Sequence, residues 1–587
     1  MQDTNLNISD ASLQQKWADR VVAELLAGGV VGFVLSPGSR NTPLALALAR
    51  GCPDRTVIHQ EERGAAFFAM GAARACGKPW AVVCTSGSAA ANWMPAAVEA
   101  YMSRLPLILL SADRPETLHH RGANQTIEQS GMLSPFTRLS WNLSPPLSPQ
   151  DIEQQIRTLH TALAAAMGSR PGPVHLNLPF REPLVASDLP EFIPVPAKAV
   201  DWYIPPIQPD ARTLNKALEW IHAPESKLAI VGGLRNHIQA QAVRRLLIQL
   251  GWPVYADITS GLRLDPLNGL AVPYADLLAR HWTKHLDKPD HILWIGDSLM
   301  HRVFPEWLAN TVKGGTLITE HEEGQDPYGF VSNRIVSDVS LFCDALAALL
   351  PEPHPITSEI FNRERITTDR ILDAYPPDTS STLNALEPLI ARWTLKTASR
   401  FNVKVFLGNS MPIRWAGLYG PYPGTATPVL ANRGASGIDG AIATVAGLSQ
   451  GYSDPRPIIA ILGDLTVFHD LPSLALVSSQ KLPLILVVLN NGGGGIFHHL
   501  PQARCCSDLL NPWFTAGPAI RDFSYAARMF GLDYLAPDSQ ADYLVALESL
   551  LKAETLKPTL IELHFDPEKS VETHARLTEY CLQALTR

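Results

Sequence analysis

The stretch Ile459-Ala-Ile-Leu-Gly-Asp-Leu465 is followed, after a helix-length segment, by Val487-Val-Leu-Asn-Asn-Gly-Gly-Gly-Gly-Ile-Phe497. Both open as continuous apolar runs of the kind that buried parallel strands carry, and both end in small, acidic or amide residues. A strand–helix–strand unit predicts two parallel neighbours whose C-terminal ends lie side by side, where open α/β sheets bind ligands. Asp464 and Asn491 then converge on one point. A carboxylate and an amide oxygen are hard ligands that suit Mg2+ or Ca2+, with phosphate oxygens and water completing the shell. Gly463 and the glycines at 492–495 leave room for a diphosphate to approach the backbone. Gly-Asp alone reads as an ordinary turn. With Asn-Asn and four glycines at this spacing, a metal–diphosphate site is the better reading.

At 587 residues the chain is too long for one hydrophobic core, and its length predicts three or four domains. A net charge of −8 argues against a general nucleic-acid binder. The start, MQDTNLNISD, lacks the basic and apolar regions of a signal peptide, and no apolar run approaches the ~18 residues of a membrane span. The seven cysteines are odd in number and show no CxxC spacing. Adjacent Cys505 and Cys506 suit neither an ordinary disulfide nor tetrahedral zinc. A reducing, cytoplasmic compartment is expected.

Working outward, apolar periodicity predicts an N-terminal helix over 12–30 and a strand over 30–35 that ends in the turn Ser36-Pro-Gly-Ser-Arg40. A strand over 56–59 leads through Glu61 and Glu62 into a helix over 65–76. The strand 81–84 ends in Thr85-Ser-Gly87, and one helix is expected over 89–102. Arg104-Leu-Pro-Leu-Ile-Leu then parallels Lys481-Leu-Pro-Leu-Ile-Leu in the last third. The shared order of strand, Gly-containing turn, helix and strand suggests that the first and last thirds are variants of one α/β domain. Arg114 and the loop carrying Asn124 and Gln125 follow; the paired His119 and His120 read as loop residues. The middle third alternates strands and helices in a parallel-sheet pattern, and its Gly232-Gly233 falls short of a dinucleotide fingerprint. Proline-rich 183–210 and 351–380 read as linkers, giving domains at 1–185, 210–350 and 380–587. The last domain opens with a helix over 382–397 and a strand over 403–407. That strand ends in Gly408-Asn-Ser410 with Arg414 beyond it. Next comes Asn432-Arg-Gly-Ala-Ser-Gly-Ile-Asp-Gly440, a glycine-rich turn bearing Arg433 before a helix, suited to cradling an anion.

Gly463-Asp464 with Asn490-Asn491 resembles the metal–diphosphate motif of thiamine-diphosphate enzymes, with Leu465 where glycine is usual. Ser36–Arg40, Glu62-Arg-Gly64, Thr85-Ser-Gly87, Ala112-Asp-Arg-Pro115, Gly122-Ala-Asn-Gln125, Gly408-Asn-Ser410 and the run 432–440 narrow the resemblance to the 2-succinyl-5-enolpyruvyl-6-hydroxy-3-cyclohexene-1-carboxylate synthases of menaquinone and phylloquinone biosynthesis. The resemblance implies three α/β domains with parallel sheets and an active site between the first domain of one subunit and the last of another, hence a homodimer or homotetramer. It implies thiamine diphosphate with Mg2+, or Mn2+, held by Asp464, Asn491 and the Gly493 backbone. Ser436, Ile438, Gly463, Leu465, Ile496 and Phe497 line the cofactor. Glu62 (with Glu61 as the alternative) is the carboxyl group that activates it. The implied substrates are 2-oxoglutarate and isochorismate, bound by Ser39, Arg40, Arg114, Asn124, Gln125, Arg302, Ser410, Arg414 and Arg433, of which Arg414 and Arg433 also serve catalysis. Arg302 is followed by Val303 where a second basic residue is usual. Other readings are a different thiamine-diphosphate decarboxylase or acetolactate-synthase-like carboligase, a silent binding protein on this fold, and a nucleotide-dependent oxidoreductase.

Overall fold

Three all-parallel sheets follow one another along the chain. The computed structural model describes residues 3–189, 191–192, 205–285, 289–309, 312–323, 325–351, 359–375, 382–422, 427–480, 482–515 and 522–586. Much of the two proline-rich segments, 193–204 and 352–358 with 376–381, lies outside the described residues.

The first sheet holds β1 (Gly32–Leu35), β2 (Thr56–Ile58), β3 (Trp80–Cys84), β4 (Leu107–Asp113), β5 (Leu139–Asn142) and β6 (Pro173–Pro179) in the order 2-1-3-4-6-5. The central sheet holds β7 (Lys227–Val231), β8 (Val254–Ala256), β9 (His291–Ile295), β10 (Gly314–Thr319) and β11 (Asn333–Val336) in the order 11-10-9-7-8. The last holds β12 (Lys404–Leu407), β13 (Val429–Leu430), β14 (Ile458–Gly463), β15 (Leu484–Asn490), β16 (Asp533–Leu535) and β17 (Thr559–His564) in the order 13-12-14-15-17-16. The first and last orders are the same permutation, so the duplication read from two short strands extends over six. β3 corresponds to β14 and β4 to β15, which places Thr85-Ser-Gly87 where the other domain has Gly463-Asp464. The central strands, buried along most of their length, read as apolar runs because helices cover both faces.

Several boundaries differ from the sequence expectation. The N-terminal helix runs Asp3–Ala27, beginning in the polar segment before the apolar stripe, and β1 starts at Gly32. The helix expected over 89–102 is two, Ser88–Ala91 and Met94–Met102, with Pro95 in the first turn of the second. The one expected over 382–397 is a 3-10 turn, Leu383–Ala385, and then Glu387–Phe401, restarted with Pro388. Proline lacks an N–H and suits only a first helical turn, which explains both interruptions. β5, β13, β16 and β17 were not expected; the first three are short or half-exposed and carry little apolar signal.

The first and last domains of a chain join through the helices Glu62–Cys76 and Ala441–Gly451, which cross almost in backbone contact. A Cβ on Gly71 would sit 2.2 Å from the Thr444 carbonyl oxygen, and one on Gly447 2.0 Å from that of Phe68. Gly447→Ala therefore requires one helix to withdraw, and overpacking of this kind costs about 1–3 kcal/mol. A lowered melting temperature in differential scanning fluorimetry, without loss of helical circular dichroism, is the expected result.

Candidate active site

β14 and β15 are hydrogen-bonded neighbours, with Gly463 opposite Leu489, so their C-terminal ends do meet. Asp464 is the first residue of the short helix Asp464–His469 and is buried. Its Oδ1 accepts the Leu465 N–H at 2.6 Å; its Oδ2 accepts those of Asn491 at 3.0 Å and Gly493 at 2.7 Å. The carboxylate thus shapes the glycine turn as well as facing it. Gly492, Gly493 and Gly494 take φ of 79°, 89° and 74°, the left-handed region that favours glycine. The irregular Leu465 has a simple account: it lies within a helical turn and outside that region, so its backbone makes no demand for glycine.

The Asn491 side chain is aimed. Its Nδ2 donates to both carboxylate oxygens of Glu387, at 3.4 and 3.3 Å, while its Oδ1 is buried and without a hydrogen-bond partner. An orphaned buried acceptor is costly and calls for a ligand. Asp464 and Glu387 are both buried, and neither forms an ion pair with a basic side chain among the described residues. Two buried carboxylates flanking a free amide oxygen, beside a glycine turn, fit a hard divalent cation and a diphosphate.

Glu61 and Glu62 separate cleanly. Glu61 is the N-cap of the helix Glu62–Cys76: its carboxylate accepts the Gly64 N–H at 2.6 Å and lies 3.7 Å from the Arg63 guanidinium. Glu62 is half-buried. Burial, with a smaller contribution from the Glu61 charge, raises its carboxyl above the usual range, against a lowering hydrogen bond from its own backbone. Its charge also reaches Cys84 at the end of β3, so it faces that strand end.

The arginines fall into two groups. In the first domain, Arg114 donates from Nη1 to Ser86 Oγ and, at 2.9 Å, to the Gln125 carbonyl, while Gln125 Nε2 donates to the Ser86 carbonyl at 2.8 Å. Arg40 is close enough to contribute to lowering the Arg114 pKa, after burial. It is itself engaged, donating to the Phe180 carbonyl and Glu182, each at 2.9 Å. In the last domain, Arg414 Nη1 donates to the Ser410 carbonyl at 2.6 Å, and Arg433 Nη1 to Asn409 Oδ1 at 2.8 Å. Burial first, and Arg433 second, hold Arg414 below its ordinary value. Arg114, Arg414 and Arg433 have no carboxylate partner among the described residues. Partly buried guanidinium groups with no carboxylate in direct contact are suited to receiving anions. Gln125, Ser410 and Ser436 take φ of 54°, 71° and 62°, unusual for residues other than glycine and typical of functional turns.

Other candidates stand apart. Arg302 lies on the outside of this chain: its side chain is 79 % exposed and paired with Glu306 at 2.7 Å, because it precedes the helix Val303–Ala309 and bridges to its first turn. The inward basic residue is the preceding His301, whose Nε2 is buried and packs on Gly417, within the helix that carries Arg414. Ser39 and Asn124 are exposed on loops, and neither side chain touches the arginines among the described residues. Ser436 is exposed, and Ile438, Ile496 and Phe497 are partly so, lining an open face.

Sequence reasoning also missed Glu99. It is buried in the first domain, and its two oxygens accept the N–H groups of Gly434 and Ala435 at 2.9 and 2.7 Å. It thereby fixes the loop of Arg433 from another domain. A glutamate in an apolar helix was the available signal, and it does not name its partner.

Family models for the N-terminal TPP binding domain, the middle domain and the C-terminal TPP binding domain of thiamine pyrophosphate enzymes match residues 15–132, 200–361 and 414–563. Two curated 2-succinyl-5-enolpyruvyl-6-hydroxy-3-cyclohexene-1-carboxylate synthases align over nearly the whole chain. That of Rubrobacter xylanophilus is 35 % identical over 570 residues, covering 96 % of this chain and 97 % of its own. That of Salinibacter ruber is 34 % identical over 576 residues, covering 96 % and 95 %. The chain belongs to this synthase family. It is a thiamine-diphosphate-dependent enzyme that transfers a group, acting on small molecules. The fold is shared more widely. A putative thiamin diphosphate-dependent enzyme from Mycobacterium smegmatis superposes with a TM-score of 0.70 at 20 % identity, covering 94 % of this chain and 99 % of that one. Benzoylformate decarboxylase from Polynucleobacter necessarius does so with 0.71 at 18 %, with the same coverage. Among the described residues of this synthase, no helix is long and apolar enough to cross a membrane.

Proposed function

We propose that this enzyme decarboxylates 2-oxoglutarate and joins the remaining four-carbon unit to isochorismate, giving 2-succinyl-5-enolpyruvyl-6-hydroxy-3-cyclohexene-1-carboxylate and CO2. The observation that carries this reading is the set of three inward arginines, Arg114, Arg414 and Arg433, that lack carboxylate partners among the described residues. Both substrates are dianionic, and a 2-oxo acid with a single carboxylate leaves so much positive charge unexplained. Bound thiamine diphosphate supplies the reactive thiazolium carbon and the electron sink for loss of CO2.

The chain's own residues do the rest. Asp464, the Asn491 Oδ1 and the Gly493 backbone would hold Mg2+, or Mn2+, and through it the diphosphate. Gly463, Leu465, Ser436, Ile438, Ile496 and Phe497 would line the cofactor, with Ile438 as its apolar support. Glu62, whose carboxyl burial raises, would donate a hydrogen bond to the pyrimidine ring and so activate the cofactor. Arg414 and Arg433 receive carboxylates from one wall, with Ser410 beside them. Arg40 and Arg114 do so from the other, with Ser39, Asn124 and Gln125. Asn409 and Glu99 keep Arg433 and its loop in position.

The two walls belong to different subunits in this reading, so the enzyme is at least a homodimer. A cytoplasmic location suits seven cysteines that form no disulfide.

Purified enzyme with Mg2+ and thiamine diphosphate is expected to consume 2-oxoglutarate and isochorismate together and to ignore pyruvate; turnover of pyruvate alone would overturn the assignment. Removing one buried charge-assisted contact costs about 2–5 kcal/mol, so Arg433→Ala is expected to lower kcat/KM for 2-oxoglutarate by ~30-fold or more. Steady-state kinetics at saturating isochorismate measure it.

A further inference from the structure

We infer that Glu387 is a positioning residue for the metal site: it sets the orientation of the Asn491 amide and so presents Oδ1, rather than Nδ2, to the cation. This rests on the proposed role of Asn491 as a metal ligand.

Glu387 opens the helix Glu387–Phe401 and is 2 % exposed. Three donors from three separate elements converge on it. Trp415 Nε1 reaches Oε1 at 3.2 Å, and the Asn491 Nδ2 group spans Oε1 and Oε2. Ser570 Oγ, from the helix Pro567–Thr586, donates to Oε2 at 3.1 Å. Both Glu387 oxygens accept from Trp415 and Ser570 as well as from Asn491, so the amide presents its donor Nδ2 to them, and the amide plane turns Oδ1 the other way. There Oδ1 is buried without a partner, beside the turn that Asp464 holds through Asn491 N–H and Gly493 N–H. Gly495 permits the arrangement: a Cβ there would lie 2.3 Å from Asn491 Nδ2. Trp415 directly follows Arg414, so the same carboxylate also ties the helix that bears a substrate-site arginine. A purely structural knot would need three donors satisfied. It would not leave the remaining amide oxygen buried without a hydrogen-bond partner.

Outer partners of metal ligands are worth about 10–100-fold in metal affinity. Glutamine at 387 keeps the shape but offers one acceptor oxygen where the glutamate has two, and its amide group opposes a donor. The test is Mn2+ binding to the full-length protein by electron paramagnetic resonance, at saturating thiamine diphosphate. Glu387→Gln is expected to weaken Mn2+ binding ~10–100-fold. Asn491→Asp should also weaken it, because two carboxylates then face each other. Combining it with Glu387→Gln should restore most of that loss, since the glutamine amide can donate to the new carboxylate. Unchanged affinity in Glu387→Gln, or penalties that merely add in the double variant, would overturn the role of Glu387 while leaving the metal site intact. Failure of the wild-type protein to bind Mn2+ would instead overturn the metal site itself. If Glu387→Gln does not fold, Ser570→Ala loosens the same carboxylate. Weaker Mn2+ binding is then expected, and unchanged binding overturns the inference.

Discussion

Replacing Asp464 by asparagine is expected to abolish metal-dependent retention of thiamine diphosphate while leaving the fold in place. The carboxylate has two functions that this substitution separates. One is structural: it accepts N–H groups from Leu465, Asn491 and Gly493, closing the turn after β15 onto the start of the helix after β14. The other is the negative charge itself, which burial renders expensive unless a cation offsets it; burial, more than the opposing backbone hydrogen bonds, raises its pKa. Asparagine keeps one acceptor oxygen, for the Asn491 and Gly493 N–H groups, and removes the charge, while its amide group opposes the Leu465 N–H. Alanine removes both, orphaning buried donors at about 1–3 kcal/mol each, so Asp464→Ala should lose apo stability as well.

The measurement is thermal melting with and without Mg2+ and thiamine diphosphate. A ligand that binds the native state stabilises it by RT ln(1 + [L]/Kd), about 2.7 kcal/mol at a hundredfold excess over Kd. Wild type should shift upward, Asp464→Asn should start somewhat lower and not shift, and Asp464→Ala should start lower still and not shift. A ligand-induced shift in Asp464→Asn equal to that of wild type would remove Asp464 from the metal site.

How far the sequence exposed this site depends on the range over which each residue acts. Asp464 and Asn491 are legible because each ends an apolar run, and parallel neighbours put such ends together whatever the rest of the chain does. The shared topology of the outer sheets shows in Arg-Leu-Pro-Leu-Ile-Leu and Lys-Leu-Pro-Leu-Ile-Leu because β4 and β15 are both buried on two faces. Glu387 and Glu99 were not legible. They act on residues 104 and 335 positions away, and no local pattern marks a helix glutamate as the partner of a distant amide side chain or backbone N–H. The direction in which Arg302 points was not legible for a similar reason. Two adjacent loop residues, His301 and Arg302, face opposite environments, and outside a regular helix or strand no period tells which one turns inward. Leu465 broke the motif only on the assumption that its position needs glycine. The helical backbone there lifts that requirement.

Glu62→Gln is expected to bind thiamine diphosphate nearly as wild type does and to lose turnover by ~100- to 10,000-fold, the range that general acid–base groups supply. The reason lies in what the carboxyl must do. A half-buried glutamate, raised by desolvation and by the Glu61 charge, holds a proton more firmly than an exposed one and can share it with a ring nitrogen. Glutamine fills the same volume and can still donate an N–H to that nitrogen, so affinity survives; it cannot hand over or retrieve a proton. Glu61 cannot substitute, because its carboxylate already caps the helix through the Gly64 N–H. The pH dependence has a definite sign. Since Glu62 works in its protonated form and its pKa is raised, activity should fall on the alkaline side as that proton is lost. In Glu62→Gln the small residual rate should lack that limb. Isothermal titration calorimetry for cofactor binding and a pH–rate profile for both proteins separate the two effects. Full activity in Glu62→Gln, or an unchanged alkaline limb, would show that the activating carboxyl is elsewhere.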